Sequence, residues 1–366
     1  MLKENIHAWR QHWGRGWLHI PFPLSKYYRG VTTQAGTIDL YLLKTKQFCH
    51  SFIESGFTIG WAKDMLKYAK GSFTNSLTDF SNFFYTDNRS IRPTCLSRSS
   101  PKCTMGLNPR PSPHHVAGYY YQDEWTSRVC RTRTFHGDTE NIRKCLKNKH
   151  VQFYGDSTGR QWFEYLITNS GGDIGAENGK SRTIDGSTMN VKVTNKKSGP
   201  ITAYDQSDNI SLSYIFHGLP FTSNAIHRSE IDYIANRLDR FDKGGPDTVI
   251  VVSIWAHFWI ADLQFYRQRL RTIKDAIHRL EKRTPGTRIF FKSPNTIAGS
   301  RTSGFTNWRM AGMMRVLIEE MSGFNNVTII NAWDMTIGHW TGLNIHPSPL
   351  IIEQEVDILL SFICPD

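Results

Sequence analysis

The sequence predicts an α/β protein in which a parallel sheet is covered by helices on both faces. After about residue 118, short apolar runs alternate with segments whose apolar residues recur every three or four positions, which is the spacing of a helix face. The short runs are apolar at consecutive positions rather than at alternate ones. Because a strand that is buried on both faces needs apolar side chains on both, this pattern is typical of a parallel sheet between helices.

The predicted elements alternate along the chain. Buried strands are expected near 151–155, 248–254, 287–292 and 326–331, and shorter strand-like pieces at 189–193 and 211–216. Helices are expected at about 159–168, 261–283, 307–321 and 349–362. We therefore expect residues 118–366 to form one α/β domain.

The part of the chain before this domain has a different composition. Residues 1–150 carry 22 Lys and Arg against 10 Asp and Glu, whereas residues 151–366 carry 22 of each. Residues 87–117 are rich in Pro, Ser, Arg and Gly, which is typical of a linker, and we expect residues 1–117 to be looser or a separate small module. The neutral second part argues against a nucleic-acid partner. The longest apolar run, 249–256, is too short to cross a membrane.

Residues alone leave the cellular compartment open. The first residues, 1–7, show no apolar stretch of a secretory signal. Candidate N-glycosylation sequons stand at Asn88, Asn209 and Asn326. Six cysteines leave the disulfide pairing open; they are Cys49, Cys95, Cys103, Cys130, Cys145 and Cys364. No CxxC pair or Cys/His cluster has the spacing of zinc ligands, so we expect no metal site.

Polar side chains follow the predicted strands at the points where the strands end. They are Asp156 and Ser157, which come directly after Gly155 at the end of the first strand, His257 after the second, and Asp334 and His346 after the fourth. Because ligands bind beyond the carboxyl ends of an open parallel sheet, these residues are expected at one site. A serine, an imidazole and a carboxylate are the groups that nucleophilic acyl transfer requires. Taken singly, each has a plainer interpretation, since Ser157 then caps a helix, His346 is a surface histidine and His257 a core histidine.

Four separated motifs resemble the NXPE family, the proteins with neurexophilin and PC-esterase domains. They are VAGYYYQDEWTSRVC…KCLKNKHVQFYGDSTGRQWFEYL over 116–166, FHGLPF over 216–221, SIWAHF over 253–258 and AWDMTIGHWTGLNIHPSPLIIEQEVDILLSFIC over 332–364. The resemblance implies a three-layer α/β/α sandwich similar to SGNH/GDSL-like hydrolases, preceded by a degenerate or truncated neurexophilin-like β module. It also implies that the protein is located in the secretory pathway, either in the Golgi lumen or secreted from the cell.

The same resemblance implies roles for individual residues. Ser157 corresponds to the nucleophile and His346 to the catalytic histidine, with Asp334 as the candidate carboxylate. The residues expected to support the oxyanion are Gly155, Asp156, Gly218, His257 and Asn344. Two positions depart from the pattern, because Trp255 replaces a glycine and Leu343 replaces an aspartate. His346 is then oriented by Asp334, by Asn344, by a backbone carbonyl or by nothing.

The cysteines and the function follow from the resemblance as well. Cys130 and Cys145 resemble a paired family position, and Cys364 is expected to pair back to an earlier cysteine and anchor the last helix. The expected function is a glycan O-acyltransferase or acyl esterase that acts on glycans or glycoproteins, including O-acetylated sialic acids. No cofactor is expected to be bound, and an acyl donor such as acetyl-CoA is the expected co-substrate. The alternatives are a non-catalytic glycan- or protein-binding relative and, less favoured, a structural secreted protein.

Overall fold

The structure is a computed structural model that describes residues 101–107, 117–121, 123–172, 181–182, 189–218, 232–297, 303–339 and 345–365. The expectations for residues 1–100, among them those for Cys49, Cys95 and Asn88, lie outside the described residues. The same holds for Leu343 and Asn344.

Strands and helices alternate through the described residues. The strands are β1 (Gly118–Tyr121), β2 (Glu124–Ser127), β3 (His150–Gly155), β4 (Ser181–Arg182), β5 (Met189–Val193), β6 (Ile201–Asp205), β7 (Ile210–Phe216), β8 (Thr248–Ser253), β9 (Arg288–Lys292) and β10 (Val327–Ile330). The helices are α1 (Thr139–Leu146), α2 (Ser157–Asn169), α3 (Ile234–Arg240), α4 (Leu263–Arg283), α5 (Ser303–Met321), α6 (Ala332–Gly338) and α7 (Pro349–Ile363). Among these helices, none combines the length and the apolar character that a membrane crossing requires.

Eight of the strands form one mixed sheet in the order β10-β9-β8-β3-β7-β6-β5-β4. The five strands from β10 to β7 are parallel, as the sequence predicts. Beyond β7 the sheet is extended by three antiparallel strands, an extension that the sequence analysis does not predict. The physical reason is the short connection 206–209 between β6 and β7, because a few residues can join only antiparallel neighbours.

Helices cover the sheet on both faces, and each face has its own apolar core. Val249 and Val251 of β8 pack on the face that α1, α2 and α7 cover. Ile250 and Val252 of the same strand pack on the opposite face, under α3, α4 and α5. Successive side chains of a strand point to opposite faces, so a strand in the middle layer must be apolar throughout. The predicted three-layer α/β/α arrangement is therefore confirmed.

Two disulfides tie peripheral segments to the domain, and one of them corrects the predicted pairing. Cys130 is bonded to Cys103 and not to Cys145. The two cysteines meet because the backbone at 101–102 pairs with Arg131, which sequence spacing does not reveal. Cys145 of α1 is bonded to Cys364, so the last cysteine pairs back and anchors α7, as predicted. No cysteine in the described part of the chain is unpaired.

Candidate active site

Three neighbouring parallel strands end at the same level. Gly155, the last residue of β3, is in register with Phe216 at the end of β7 and with Ser253 at the end of β8. The residues that follow these strands therefore lie side by side at the carboxyl edge of the sheet. This edge is where the sequence predicts the site, and Ser157, Gly218 and the 254–257 turn all follow strands that end there.

Ser157 and His346 are brought together at this edge. Ser157 is the first residue of α2, and its Oγ lies 2.7 Å from His346 Nε2. Burial lowers the pKa of His346, although the nearby Asp156 carboxylate acts in the opposite direction. A histidine with a pKa below its ordinary value is neutral at pH 7 and is able to accept a proton. The pair therefore has the geometry and the protonation state of a hydroxyl beside its base.

Asp156 is the centre of the hydrogen bonds that build the turn before Ser157. Its Oδ1 accepts from the Thr158 amide at 2.9 Å and from Ser253 Oγ at 3.0 Å. Its Oδ2 accepts from the amides of Trp255 at 3.1 Å and Ala256 at 2.9 Å. Burial alone raises the pKa of this carboxyl, but hydrogen bonds from Ala256 and Thr158 bring the pKa below its ordinary value. Asp156 therefore stays ionised and joins the start of α2 to the turn after β8.

Two glycines allow the close packing beneath Ser157. A Cβ atom on Gly155 would lie 2.1 Å from the carbonyl oxygen of Ser253. A Cβ atom on Gly159 would lie 2.6 Å from Ser253 Cβ. Both distances are far inside van der Waals contact, so any other residue would push α2 or β3 away from β8. The glycines thus set the height of the Ser157 hydroxyl above the sheet.

A third histidine, which the sequence analysis does not single out, lies at this edge beside His257. His217, directly after β7, is fully buried, and its Nε2 lies 2.8 Å from His257 Nδ1. Burial lowers the pKa of His217 to about 3 and lowers that of His257, although Asp156 acts to raise both values. The two rings are therefore neutral at pH 7. The signal that would have revealed His217 is its place after a strand adjacent to β3, and strand order is not visible in the sequence.

The carboxylate of Asp334 has partners other than His346 among the described residues. Its Oδ2 accepts from the Ala117 amide at 2.7 Å and from Asn331 Nδ2 at 2.8 Å, at the start of α6. Burial raises the pKa of Asp334 to about 6. Among the described residues, these hydrogen bonds join α6 to the segment at residue 117 and none of them reaches His346. The expectation that Asp334 orients the histidine therefore stays a prediction.

Two further positions from the sequence analysis, Trp255 and Gly218, lie close to the turns that follow β8 and β7. Trp255 is buried, and its indole N–H donates to Thr158 Oγ1 at 3.1 Å, so this departure from the family pattern supports the first turn of α2 from below. Gly218 has a positive φ of 80° at the end of β7. Within the described residues, no group of three His, Cys, Asp or Glu side chains is arranged to hold a metal ion.

The fold and this edge define the class of the domain. A three-layer α/β/α sandwich with a serine at a strand-to-helix turn and a histidine on its hydroxyl is an SGNH-like arrangement. Comparison with protein families matches residues 125–364 to the description "NXPE family member 4-like, C-terminal domain". The match spans more than half of the chain, so the chain belongs to the NXPE family, and the resemblance seen in its sequence motifs is confirmed.

Proposed function

We propose that this domain transfers or hydrolyses acyl groups on glycans through Ser157 and His346. The observation that carries the proposal is the 2.7 Å contact between Ser157 Oγ and His346 Nε2 at the carboxyl edge of the sheet. A serine hydroxyl is a weak nucleophile unless a base within hydrogen-bond reach takes its proton. His346, with its lowered pKa, is that base.

The reaction has two balanced steps. Ser157 Oγ attacks the acyl carbonyl of the donor while His346 takes the hydroxyl proton, and the proton then passes to the departing donor oxygen or sulfur. In the second step an acceptor hydroxyl, from a sugar or from water, gives its proton to His346 and attacks the carbonyl of the acyl-serine ester. The bond from the carbonyl carbon to Ser157 Oγ then breaks, and Oγ takes the proton back from His346. An acyl thioester such as acetyl-CoA is a suitable donor, and the acceptor decides between transfer and hydrolysis.

The oxyanion of each tetrahedral intermediate needs donors, and the start of α2 supplies one. Asp156 accepts hydrogen bonds from the amides of Thr158 and Gly159. The amide of Ser157 does not donate to Asp156, so we propose it as a donor to the oxyanion. We assign a second donor to His257. His217 Nε2 lies 2.8 Å from His257 Nδ1, and in the tautomer in which His217 gives the proton of this contact, His257 carries its own proton on Nε2. That proton is the one that we propose for the oxyanion.

The substrate class and the compartment come from the family and from the disulfides. The family resemblance favours O-acyl esters of cell-surface or secreted glycoconjugates, with O-acetylated sialic acids among them. Two disulfides in the described residues support an oxidising compartment, since such bonds are rare in the cytosol. We therefore propose a lumenal or secreted protein whose partners are glycans or glycoproteins.

The experiment uses two substrates and two pairs of variants. Labelling by a fluorophosphonate reports the reactivity of Ser157, and acetyl release or transfer on an O-acetylated sialoglycan reports the reaction. Ser157→Ala and His346→Ala should each lose about a thousandfold or more, and the double variant little further, because the two residues act as a unit. Ser322→Ala and His278→Ala, both exposed positions, are the matched controls and should keep full activity. Activity that survives Ser157→Ala would show that the serine mechanism is wrong.

One observation favours a second candidate function. Asp334 is committed to Ala117 and Asn331, and Leu343 stands where the wider group has its aspartate. The departures from the family pattern at Trp255 and Leu343 fit a relative that kept the fold and binds glycans without reacting. This alternative would be established if the wild-type protein binds sialoglycan, is not labelled by the fluorophosphonate and releases no acetate.

A further inference from the structure

A buried ion pair lies between β9, α2 and α7 and has no part in the chemistry proposed above. Lys292 Nζ lies 3.1 Å from Glu355 Oε2, and both side chains are fully buried. Trp162 Nε1 donates to the same carboxylate oxygen at 2.6 Å, and the lysine ammonium lies 5.2 Å from the centroid of the Trp162 ring. The pair thus joins the end of β9 to α2 and α7, the helices that follow Ser157 and His346.

Stability alone does not explain such a pair. Removing two charges from water costs several kcal/mol for each ion, and replacing a buried pair by apolar residues of similar size is often neutral or stabilising. Burial accordingly raises the pKa of Glu355 and lowers that of Lys292. The role of the pair therefore lies in the hydrogen bonds that its charged groups make to neighbouring residues.

Those contacts lead to the residue before His346. Lys292 Nζ donates to Asn295 Oδ1 at 2.6 Å, and Asn295 Nδ2 donates to the Ile345 carbonyl at 3.3 Å. An ammonium group can only donate, so it fixes which end of the amide faces Lys292. The Nδ2 end of the Asn295 amide is then directed to the backbone of Ile345.

The residue after His346 is held in the same way from the other side. Gln161, one turn along α2 from Ser157, donates through Nε2 to the Pro347 carbonyl at 3.2 Å. The carbonyls on both sides of His346 are thus each bonded by a side-chain amide, one from the turn after β9 and one from the helix that begins at Ser157.

We infer that Asn295 and Gln161 are positioning residues that hold His346 against Ser157, and that the Lys292–Glu355 pair orients Asn295. This inference deepens the proposed function and rests on it for its catalytic consequence. The positioning itself is a property of the fold and is measurable without turnover. A displacement of about 1 Å at a reacting group can cost a hundredfold in rate, so small contacts of this kind are sufficient.

The test is the titration of the His346 ring followed by NMR with histidine-selective ¹⁵N labelling, its signal assigned by loss in His346→Gln. Asn295→Ala should let water reach the imidazole, and the pKa of His346 should then rise toward its ordinary value, because burial is the main cause that lowers it. The matched control is Asn307→Ala. Asn307 is a buried amide that bonds both the N–H and the carbonyl of Ile297 at 2.8 Å, and its side-chain hydrogen bonds among the described residues do not include the residues flanking His346.

Two further variants secure the result. Gln161→Met removes the other amide, which lies at a half-buried position, and should shift the His346 titration in the same direction. This variant replaces Asn295→Ala as the test if Asn295→Ala does not fold. The double variant Lys292→Met/Glu355→Leu should fold cooperatively and still shift the titration as Asn295→Ala does. An unchanged His346 titration in Asn295→Ala or Gln161→Met, or an equal shift in Asn307→Ala, would overturn the inference.

Labelling of Ser157 separates this inference from the proposed function. If wild type reacts with the fluorophosphonate, Asn295→Ala should react at least about tenfold more slowly, with Asn307→Ala unchanged. If wild type does not react, the proposed function fails, and the His346 titration alone still decides whether the two amides position the ring. Equal labelling rates in wild type and Asn295→Ala would contradict the inference while leaving the serine mechanism intact.

Discussion

At the carboxyl edge of the parallel sheet, Asp156 is fully buried and accepts hydrogen bonds from two separate stretches of chain, the start of α2 and residues 253–256. At the amino edge of the same sheet, Lys149 pairs with Asp247, whose side chain is 60% exposed. An exposed pair of this kind contributes about 0–1 kcal/mol, because water solvates both ions and salt screens them. A buried acceptor shared by several donors cannot be lost without leaving those donors unpaired.

The difference teaches that the candidate site is built from groups that also hold the fold together. The groups that fix Ser157 also connect β3 to β8, so geometry and stability depend on the same atoms there. The amino edge carries one disulfide, surface ion pairs and two sequons, each with its own local role. Changes at the two edges should therefore have separable effects, and the predictions below run from the largest effect to the smallest.

Asp156→Asn should have the largest effect. The asparagine has one acceptor oxygen in place of two, and its amide group faces N–H or O–H donors whichever way it is turned. We expect a loss of about 3 kcal/mol or more in the free energy of unfolding, measured by urea denaturation, with loss of Ser157 labelling. A destabilisation below about 1 kcal/mol would mean that the carboxylate is not the centre of this edge.

Removal of the Cys145–Cys364 disulfide should destabilise the domain but spare the site. Arg288 begins β9 and donates to the Ile363 carbonyl, so α7 ends at the amino edge beside this bond. The Cys145→Ser/Cys364→Ser variant should lose about 2–5 kcal/mol, since the bond closes a long loop. Labelling of Ser157 at a temperature where the variant is folded should match wild type. Loss of labelling in the folded variant would show that the two edges are not independent.

Asp334→Asn makes the same substitution at the same edge as Asp156→Asn, but we expect it to raise the free energy of unfolding at pH 7 rather than lower it. The pKa of Asp334 is raised to about 6 by burial, so the native state binds the proton more tightly than the unfolded chain does. Stability due to this group is then highest at low pH and falls as pH rises from about 4 to 6. Asparagine can still accept both hydrogen bonds without a charge, and it should stabilise the protein at pH 7 by up to about 3 kcal/mol.

The measurement for Asp334→Asn is a series of urea unfolding curves between pH 4 and 7. The difference between variant and wild type should vanish near pH 4 and be largest at pH 7, and labelling of Ser157 should be unchanged. Burial also raises the pKa of Asp357 to about 6, so stability will depend on pH through Asp357 in both wild type and the variant, and this contribution cancels in the difference. A variant that loses labelling at every pH would mean that Asp334 acts on His346 after all.

Sequence reasoning reached the strand ends because apolar runs locate buried strands and topology places their carboxyl ends together. Ser157 and His346 followed from that rule. The partners of Asp156 did not, because backbone amides of the 255–256 turn carry no signal in the sequence. His217 and the Cys103–Cys130 bond depend on strand order and on chain packing, which long-range contacts determine.

The smallest effect is expected at two turns of the amino edge, where the sequons Asn209 and Asn326 differ in accessibility. Asn209 is exposed in the turn between β6 and β7. Asn326 is half-buried, with Nδ2 donating to the Thr287 carbonyl at 3.4 Å, and Thr328 of its sequon is fully buried.

In protein made through a secretory route, peptide mass spectrometry should therefore find a glycan on Asn209 and little or none on Asn326. Asn209→Gln should remove that glycan and leave the melting temperature and Ser157 labelling unchanged, because nothing at this turn reaches the carboxyl edge. A glycan on most Asn326 side chains would show that the start of β10 is open to solvent while the chain folds. The amino edge would then be less closely packed than the structure has it.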